Sequence, residues 1–174
     1  MSAFKPASFW IEHLNLVPHV EGGYYRETYR SADTLQAYSL PLSFGTERVM
    51  STAIYFLLEG KSFSALHRIK SDELWHFYAG HPLSIYVLNG EVKPTEIRLG
   101  NDPEKGEVFQ AVVKAGSWFG SAVHNPVSYG IPPYSLVGCT VAPGFDFRDF
   151  EMGEREQLIQ TYPQHETLIK NLTR

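Results

Sequence analysis

The sequence predicts an all-β chain folded as a jelly-roll barrel, on three observations. Short runs of aromatic and β-branched residues recur at even spacing between residues 50 and 142, as the strands of a sandwich or barrel would. Gly60, Gly80, Gly100 and Gly116 fall between the runs as turn residues, and Asn89-Gly90 is a two-residue hairpin signal. Aromatic residues reach 14% of the chain, and such side chains suit strands that pack across a shared core.

Taken in order, Phe9, Trp10, Leu14 and Val17 fall at near-helical spacing behind Ser8. They predict a short N-terminal helix capped by Ser8 and ended by Pro18. Residues 24–30 read as a strand with Tyr25, Glu27 and Tyr29 on one face and Tyr24, Arg26, Thr28 and Arg30 on the other. Residues 31–48, with Pro41 and Gly45, form a long excursion that is a candidate rim or interface loop. Strands are then predicted at 50–58, 62–70, 73–79, 84–88, 91–98, 107–113, 118–123 and 135–142, with a rigid loop at 126–133. Past Gly144 the spacing changes. Leu158 with Tyr162, and Leu168 with Leu172, lie four apart around Pro163 and predict short helices outside the barrel.

At 174 residues the chain is the size of one domain able to bury its own core, and residues 1–174 are read as that domain. The formal net charge of -4 and the lack of a dense Lys/Arg run argue against a nucleic-acid partner. Cys139 is the one cysteine, so no internal disulfide forms, and it reads as an inert core thiol. No apolar leader follows Met1, and no apolar run is long enough to span a bilayer. These features predict a cytoplasmic protein that engages no membrane.

The block from Gly60 to Gly80, with His67, Glu73 and an Ile at 69, resembles the first signature motif of the cupin superfamily. That motif places Gly, His-x-His, Glu and a second Gly in this order, and Ile69 stands where its second His belongs. Two further blocks carry the likeness: Pro-His-Val-Glu-Gly-Gly-Tyr-Tyr-Arg-Glu-Thr-Tyr-Arg-Ser at 18–31, and Leu-Val-Gly-Cys-Thr-Val-Ala-Pro-Gly-Phe-Asp-Phe at 136–147. Together they resemble a small uncharacterised branch of that superfamily. The resemblance implies a cupin-type double-stranded β-helix with short terminal helices, and a homodimer, with the N-terminal strand a candidate contact. A looser similarity is to the deoxysugar-nucleotide epimerases, metal-free cupins that invert carbons beside a ketone. Gly23-Tyr-Tyr-Arg-Glu27 and His67 would match their Gly-x-Phe-x-Glu strand and their base. Gly22 stands where those enzymes keep a phosphate-holding Arg, which argues against phosphate recognition.

Metal-binding cupins gather two His and one Glu of the first motif and one His of the second. Here the second-motif region around 114–119 holds Lys114 in the Pro slot and Phe119 in the His slot. With Ile69 and Phe119 apolar, His67 and Glu73 make a poor metal site, and no cofactor is expected. The minority reading is a divalent metal on His67, Glu73 and His76, although strand parity puts His76 opposite Glu73.

The preferred reading is a pocket for a small polar metabolite in which His67 acts as general base, Glu73 orients it, and Tyr25 donates a proton. Tyr29, Tyr78 and Tyr86 are further candidate phenols. Glu27 and Tyr29, with Trp75, Phe77, Trp118 and Phe119 as flat walls, are the expected substrate-binding residues. The competing interpretation for each is plain: a satisfied buried pair for His67 and Glu73, core filling for the aromatics. Asp146 and Asp149 read as caps, and His19 shows no ligand spacing, though it lies beside the Glu21-Gly-Gly block. The expected activity is a metal-independent epimerase or isomerase acting on a sugar or carbonyl compound. The alternatives are a non-catalytic binding module and a metal-dependent lyase or oxygenase.

Overall fold

A computed structural model describes residues 5–126 and 132–174; most of the loop predicted at 126–133 lies outside the described residues. Helix α1 (Ala7–His13) opens the chain. Pro6 precedes it with no side-chain cap, so Ser8 does not play the expected role. The helix also stops earlier than predicted, because Asn15 takes a left-handed φ of 52° and turns the chain before Pro18 is reached. Val17 then joins Pro18 in the short strand β1 (Val17–Pro18) rather than extending the helix.

The strands that follow are β2 (Tyr24–Arg30), β3 (Thr34–Leu35), β4 (Arg48–Val49), β5 (Thr52–Glu59), β6 (Phe63–Arg68) and β7 (Asp72–Gly80). After them come β8 (Leu83–Val87), β9 (Thr95–Leu99), β10 (Gln110–Val113), β11 (Phe119–Val123), β12 (Tyr134–Ala142) and β13 (Glu151–Met152). Helices α2 (Arg155–Thr161) and α3 (Glu166–Asn171) close the chain around Pro163, as the spacing predicts. One sheet runs β1-β2-β5-β12-β7-β10, the other β13-β6-β11-β8-β9, and β3 pairs with β4 alone. These two facing sheets form the all-β cupin barrel.

Two boundaries moved for local reasons. The strand predicted at 91–98 begins only at Thr95, since Pro94 has no N–H for the ladder and the Asn89 side chain accepts from the Glu91 N–H in a turn. Val87 pairs with Thr95, so the connection is longer than the two-residue hairpin that Asn89-Gly90 suggested. The excursion at 31–48 buries Leu40 and Phe44 and is pinned to the barrel by Arg48. The Arg48 guanidinium donates to both Asp149 carboxylate oxygens at 2.6 and 2.7 Å, with both side chains almost wholly buried.

Between the sheets, Phe56, Leu58, Trp75 and Val137 from one side meet Leu83, Ile85, Phe119 and Val123 from the other. Leu66, Leu158, Ile169 and Leu172 form a second packed layer under the C-terminal helices. The core is thus solid at one end of the barrel. At the other end polar residues such as Thr52, His67 and Glu73 join apolar ones on the inward positions, and a cavity remains. No helix among the described residues is long and apolar enough to cross a membrane.

Candidate active site

The cavity has a volume of about 440 Å³, within the range typical of small-molecule sites. Its wall is set by strand parity. On β5 the inward residues Thr52 and Ile54 reach the cavity, while Phe56 lies in the core. On β7, Glu73 reaches it and Trp75, two residues further along the same face, is core. On β12, Cys139 and Val141 line it, with Val137 below. Strand β6 contributes His67, and Ile69 follows just past its end.

A further part of the wall comes from the turn between β1 and β2, which brings His19 and Glu21 over the barrel end. The Glu21 carbonyl accepts from the Ala65 N–H at 2.8 Å, tying this turn to β6. Gly22 and Gly23 make that approach possible. Both have positive φ, and a Cβ on Gly22 would sit 2.1 Å from the Phe63 carbonyl oxygen. From the far side, the Arg174 guanidinium donates to the Val20 carbonyl at 3.1 Å. Glu21 is thereby held with its carboxyl buried among His67, His19 and Ser64.

The hydrogen bonds of His67 fix its state. Its Nδ1 lies 2.7 Å from the Ala65 carbonyl oxygen, which can only accept, so Nδ1 carries a proton. Its Nε2 lies 3.1 Å from Glu21 Oε2. A single proton must occupy that contact, on one partner or the other. Burial pushes the Glu21 carboxyl up to about 7, with His19 and Ser64 opposing. Burial also lowers His67, with Glu73 opposing. Burial thus disfavours the ionised form of both partners, which favours a neutral Glu21 acid donating to a neutral imidazole. The carboxyl within hydrogen-bond distance of His67 Nε2 is that of Glu21, whereas Glu73, which the sequence suggested, acts on His67 through its charge.

Glu73 is a separate group in the same cavity. It is 8% exposed, and its Oε2 has no hydrogen-bond partner among the described residues. Burial raises it to about 7; His67 opposes this, and Glu21 adds to it. Cys139 lines the wall beside it, and its thiol is pushed well up by burial and by both carboxyls. His19 is lowered chiefly by burial and meets the Tyr25 ring edge-on at 4.5 Å.

Tyr25 and Glu27 line the cavity as predicted, but Tyr29 does not. The ladder between β2 and β5 shifts between Glu27 and Tyr29, so Thr28 is an extra residue and parity inverts beyond it. Arg30 takes the inward position opposite Thr52, while Tyr29 is 53% exposed. The four predicted aromatic walls also lie elsewhere. Trp75 and Phe119 fill the core, Phe77 packs against it, and Trp118 lies beneath the Arg68 guanidinium under the C-terminal helices. Phe119 does support the site from behind, its ring 4.2 Å from that of His67. Tyr78 is half exposed and meets Tyr55, and Tyr86 packs in the layer under the C-terminal helices.

The aromatic wall comes instead from the segment after β12, where Phe145, Phe147 and Phe150 line the cavity. Phe150 stacks on His67 at 5.3 Å and Phe147 on His19 at 6.5 Å. Asp146 both lines the cavity and caps the next turn by accepting from the Arg148 N–H. Asp149 is the buried anchor for Arg48.

The metal-binding cupins that the sequence resembles hold a divalent cation, and the residues at the matching positions do not fit one. Ile69 lines the cavity without a donor atom, and Phe119 pairs directly with His67 across the β6–β11 ladder. His76 lies on the outer sheet face, bonded to Thr140 at 3.1 Å and Gln110 at 2.9 Å. Among the described residues, no three His, Cys, Asp or Glu side chains are grouped to hold a metal ion.

Comparison with known proteins agrees with this architecture. The chain is 33% identical to an uncharacterized protein of Saccharomyces cerevisiae, covering 89% of this chain and 87% of that one. A hypothetical protein from Leishmania major superposes with a TM-score of 0.86 at 42% identity, covering 97% of this chain and 99% of that one. Protein SO0799 from Shewanella oneidensis gives 0.82 at 40%, covering 98% and 99%. Oxalate decarboxylase from Bacillus subtilis gives 0.51 at 13%, covering 89% of this chain and 36% of that one, which is a likeness of fold alone. Residues 8–153 match the family described as Cupin superfamily (DUF985), and the chain belongs to that family.

Proposed function

We propose that this protein is a metal-independent proton-transfer enzyme that isomerises or epimerises a small hydroxylated carbonyl compound, such as a sugar. The observation that carries this reading is the buried Glu73 carboxyl, with its unpartnered Oε2, in one cavity with the Glu21–His67 pair. Moving a proton beside a carbonyl needs a base for the carbon and an acid for the carbonyl oxygen, each poised near the working pH. Ionised Glu73 is the base, taking the proton from the carbon next to the carbonyl. The Glu21–His67 pair, which holds one proton between its partners, supplies the acid that converts the carbonyl oxygen to hydroxyl. Return of the proton from Glu73 to either carbon, while the Glu21–His67 pair takes a hydroxyl proton back, gives the isomer or regenerates the substrate. Tyr25, on the same wall, is positioned as a further donor.

The test is deuterium wash-in. The protein is incubated with a metabolite extract in heavy water, and compounds gaining one mass unit are sought by mass spectrometry. Wild type should label at least one hydroxylated carbonyl compound, and Glu73→Gln and His67→Asn should lose the labelling while remaining folded. Labelling that survives both substitutions would overturn the assignment, and a retained ligand with no labelling would leave a binding module. A cytoplasmic homodimer is proposed as the working form. Val17, Val20 and Tyr29 are exposed along the β1–β2 edge and support a contact there; light scattering that gives the mass of one chain would refute it.

A further inference from the structure

The charges around the cavity restrict what can enter it. Among the described residues, the lining carries four carboxyl groups, those of Glu21, Glu27, Glu73 and Asp146, against the single guanidinium of Arg30. Arg30 is already committed. Its Nε donates to Glu27 Oε1 at 2.9 Å, its Nη2 to Glu27 Oε2 at 2.6 Å, and its Nη1 reaches the Phe145 carbonyl at 3.5 Å. Asp146 is likewise bound by Arg148, through Nε at 2.9 Å and Nη2 at 2.6 Å. The mouth therefore presents two closed ion pairs, and the interior presents acids and imidazoles. Among the described residues, no unpaired cation lines the cavity to receive a phosphate or carboxylate, which would have to shed water beside Glu21 and Glu73.

The interior offers acceptors instead. Trp75 and Cys139 approach the Glu73 carboxyl, yet its buried Oε2 makes no hydrogen bond within the described residues, and a buried acceptor is best satisfied by an O–H or N–H brought to it. The apolar part of the lining, Ile54, Ile69, Val141 and the Phe145, Phe147 and Phe150 rings, suits a carbon skeleton. From this geometry we infer that the cavity binds a hydroxyl-bearing compound carrying no phosphate or carboxylate, with a ligand hydroxyl donating to Glu73 Oε2. This deepens the proposed function and rests on the cavity being the ligand site, but it does not depend on catalysis. It separates the protein from enzymes whose sugar substrates are held by a nucleotide diphosphate.

The test is ligand-observed NMR at pH 7 with three- to seven-carbon aldoses, ketoses and polyols, each matched to its phosphate ester and its sugar acid. At least one neutral compound should bind, and its anionic counterparts should bind roughly 100-fold more weakly, as like charges in a desolvated site require. Glu27→Gln, which frees Arg30, should raise the affinity of the anionic set. The inference is overturned if no neutral compound binds, if an anionic analogue binds as well as its parent, or if Glu27→Gln leaves anion binding unchanged. A neutral ligand that binds without deuterium exchange would retire the isomerase reading and leave this one standing.

Discussion

Replacing Glu73 by Gln should reverse a stability cost that the site imposes on the fold at neutral pH. The carboxyl is raised by burial from 4.5 to about 7. Below pH 4.5 folded and unfolded chains both hold the proton, and Glu73 affects stability little. As pH rises, the unfolded chain ionises first and gains free energy that the folded chain forgoes until about pH 7. Stability contributed by the neutral acid is therefore lost between pH 4.5 and 7, and the full cost is present above that window. At about 1.36 kcal/mol per pH unit, the displacement corresponds to about 3 kcal/mol. Gln occupies the same volume without ionising, so it removes this pH-dependent part. Any cost of burying its amide is common to all pH values and cancels in the comparison. Thermal melts of both proteins at pH 4.5 and 8 measure the difference. The variant should gain roughly 6 to 12 °C relative to wild type on going from pH 4.5 to 8, for a chain of this size. A constant difference across that range would show that Glu73 ionises normally and would falsify its role as a buried, poised base.

Other outcomes follow from the same geometry. Arg48→Met leaves the buried Asp149 with the partly exposed Lys70 ammonium at 3.3 Å in place of its bidentate partner, and should cost roughly 3 kcal/mol in urea unfolding, much of it recovered when Asp149→Leu is added. Nitrogen NMR of His67 at pH 7 should show a neutral ring protonated on Nδ1, because Ala65 accepts there and burial lowers the ring below its ordinary range; an imidazolium signal would place the shared proton on His67 and contradict the neutral ring. Gly22→Ala should disrupt the turn that carries Glu21, since its Cβ would strike the Phe63 carbonyl. It should abolish deuterium wash-in even where the barrel still folds, as judged by circular dichroism. Full activity in that variant would argue against Glu21 as a functional group.

The barrel was legible because the strands advertised themselves locally, through alternation on β2, short aromatic and β-branched runs elsewhere, and glycines between them. Parity also placed Glu73 inward and His76 outward correctly. What parity cannot carry is depth. Glu73, Trp75 and Phe77 share a face, yet only Glu73 reaches the cavity, because the facing sheet fills the other end with Phe119 and Leu83. Nor can it anticipate an inserted residue: the bulge at Thr28 exchanged Tyr29 for Arg30. Glu21 was missed for a third reason. It sits in a turn with no periodicity, and its position depends on long-range contacts with Ala65 and Arg174. The signal available was the Glu-Gly-Gly triplet, since two adjacent glycines after a carboxylate mark a backbone that must approach another closely. Phe145 and Phe147 sat in a recognised block and Phe150 just past it, but long-range ties place that segment over the cavity, among them the Arg48–Asp149 pair and the Phe145 N–H donating to Thr52 Oγ1.

The decisive measurement is deuterium wash-in by untagged protein treated with a chelator and shown metal-free by elemental mass spectrometry. Metal-independent proton transfer by Glu73 and the Glu21–His67 pair predicts that labelling persists at the untreated rate and disappears in Glu73→Gln. Labelling that stops on chelation and returns with an added divalent metal would contradict it.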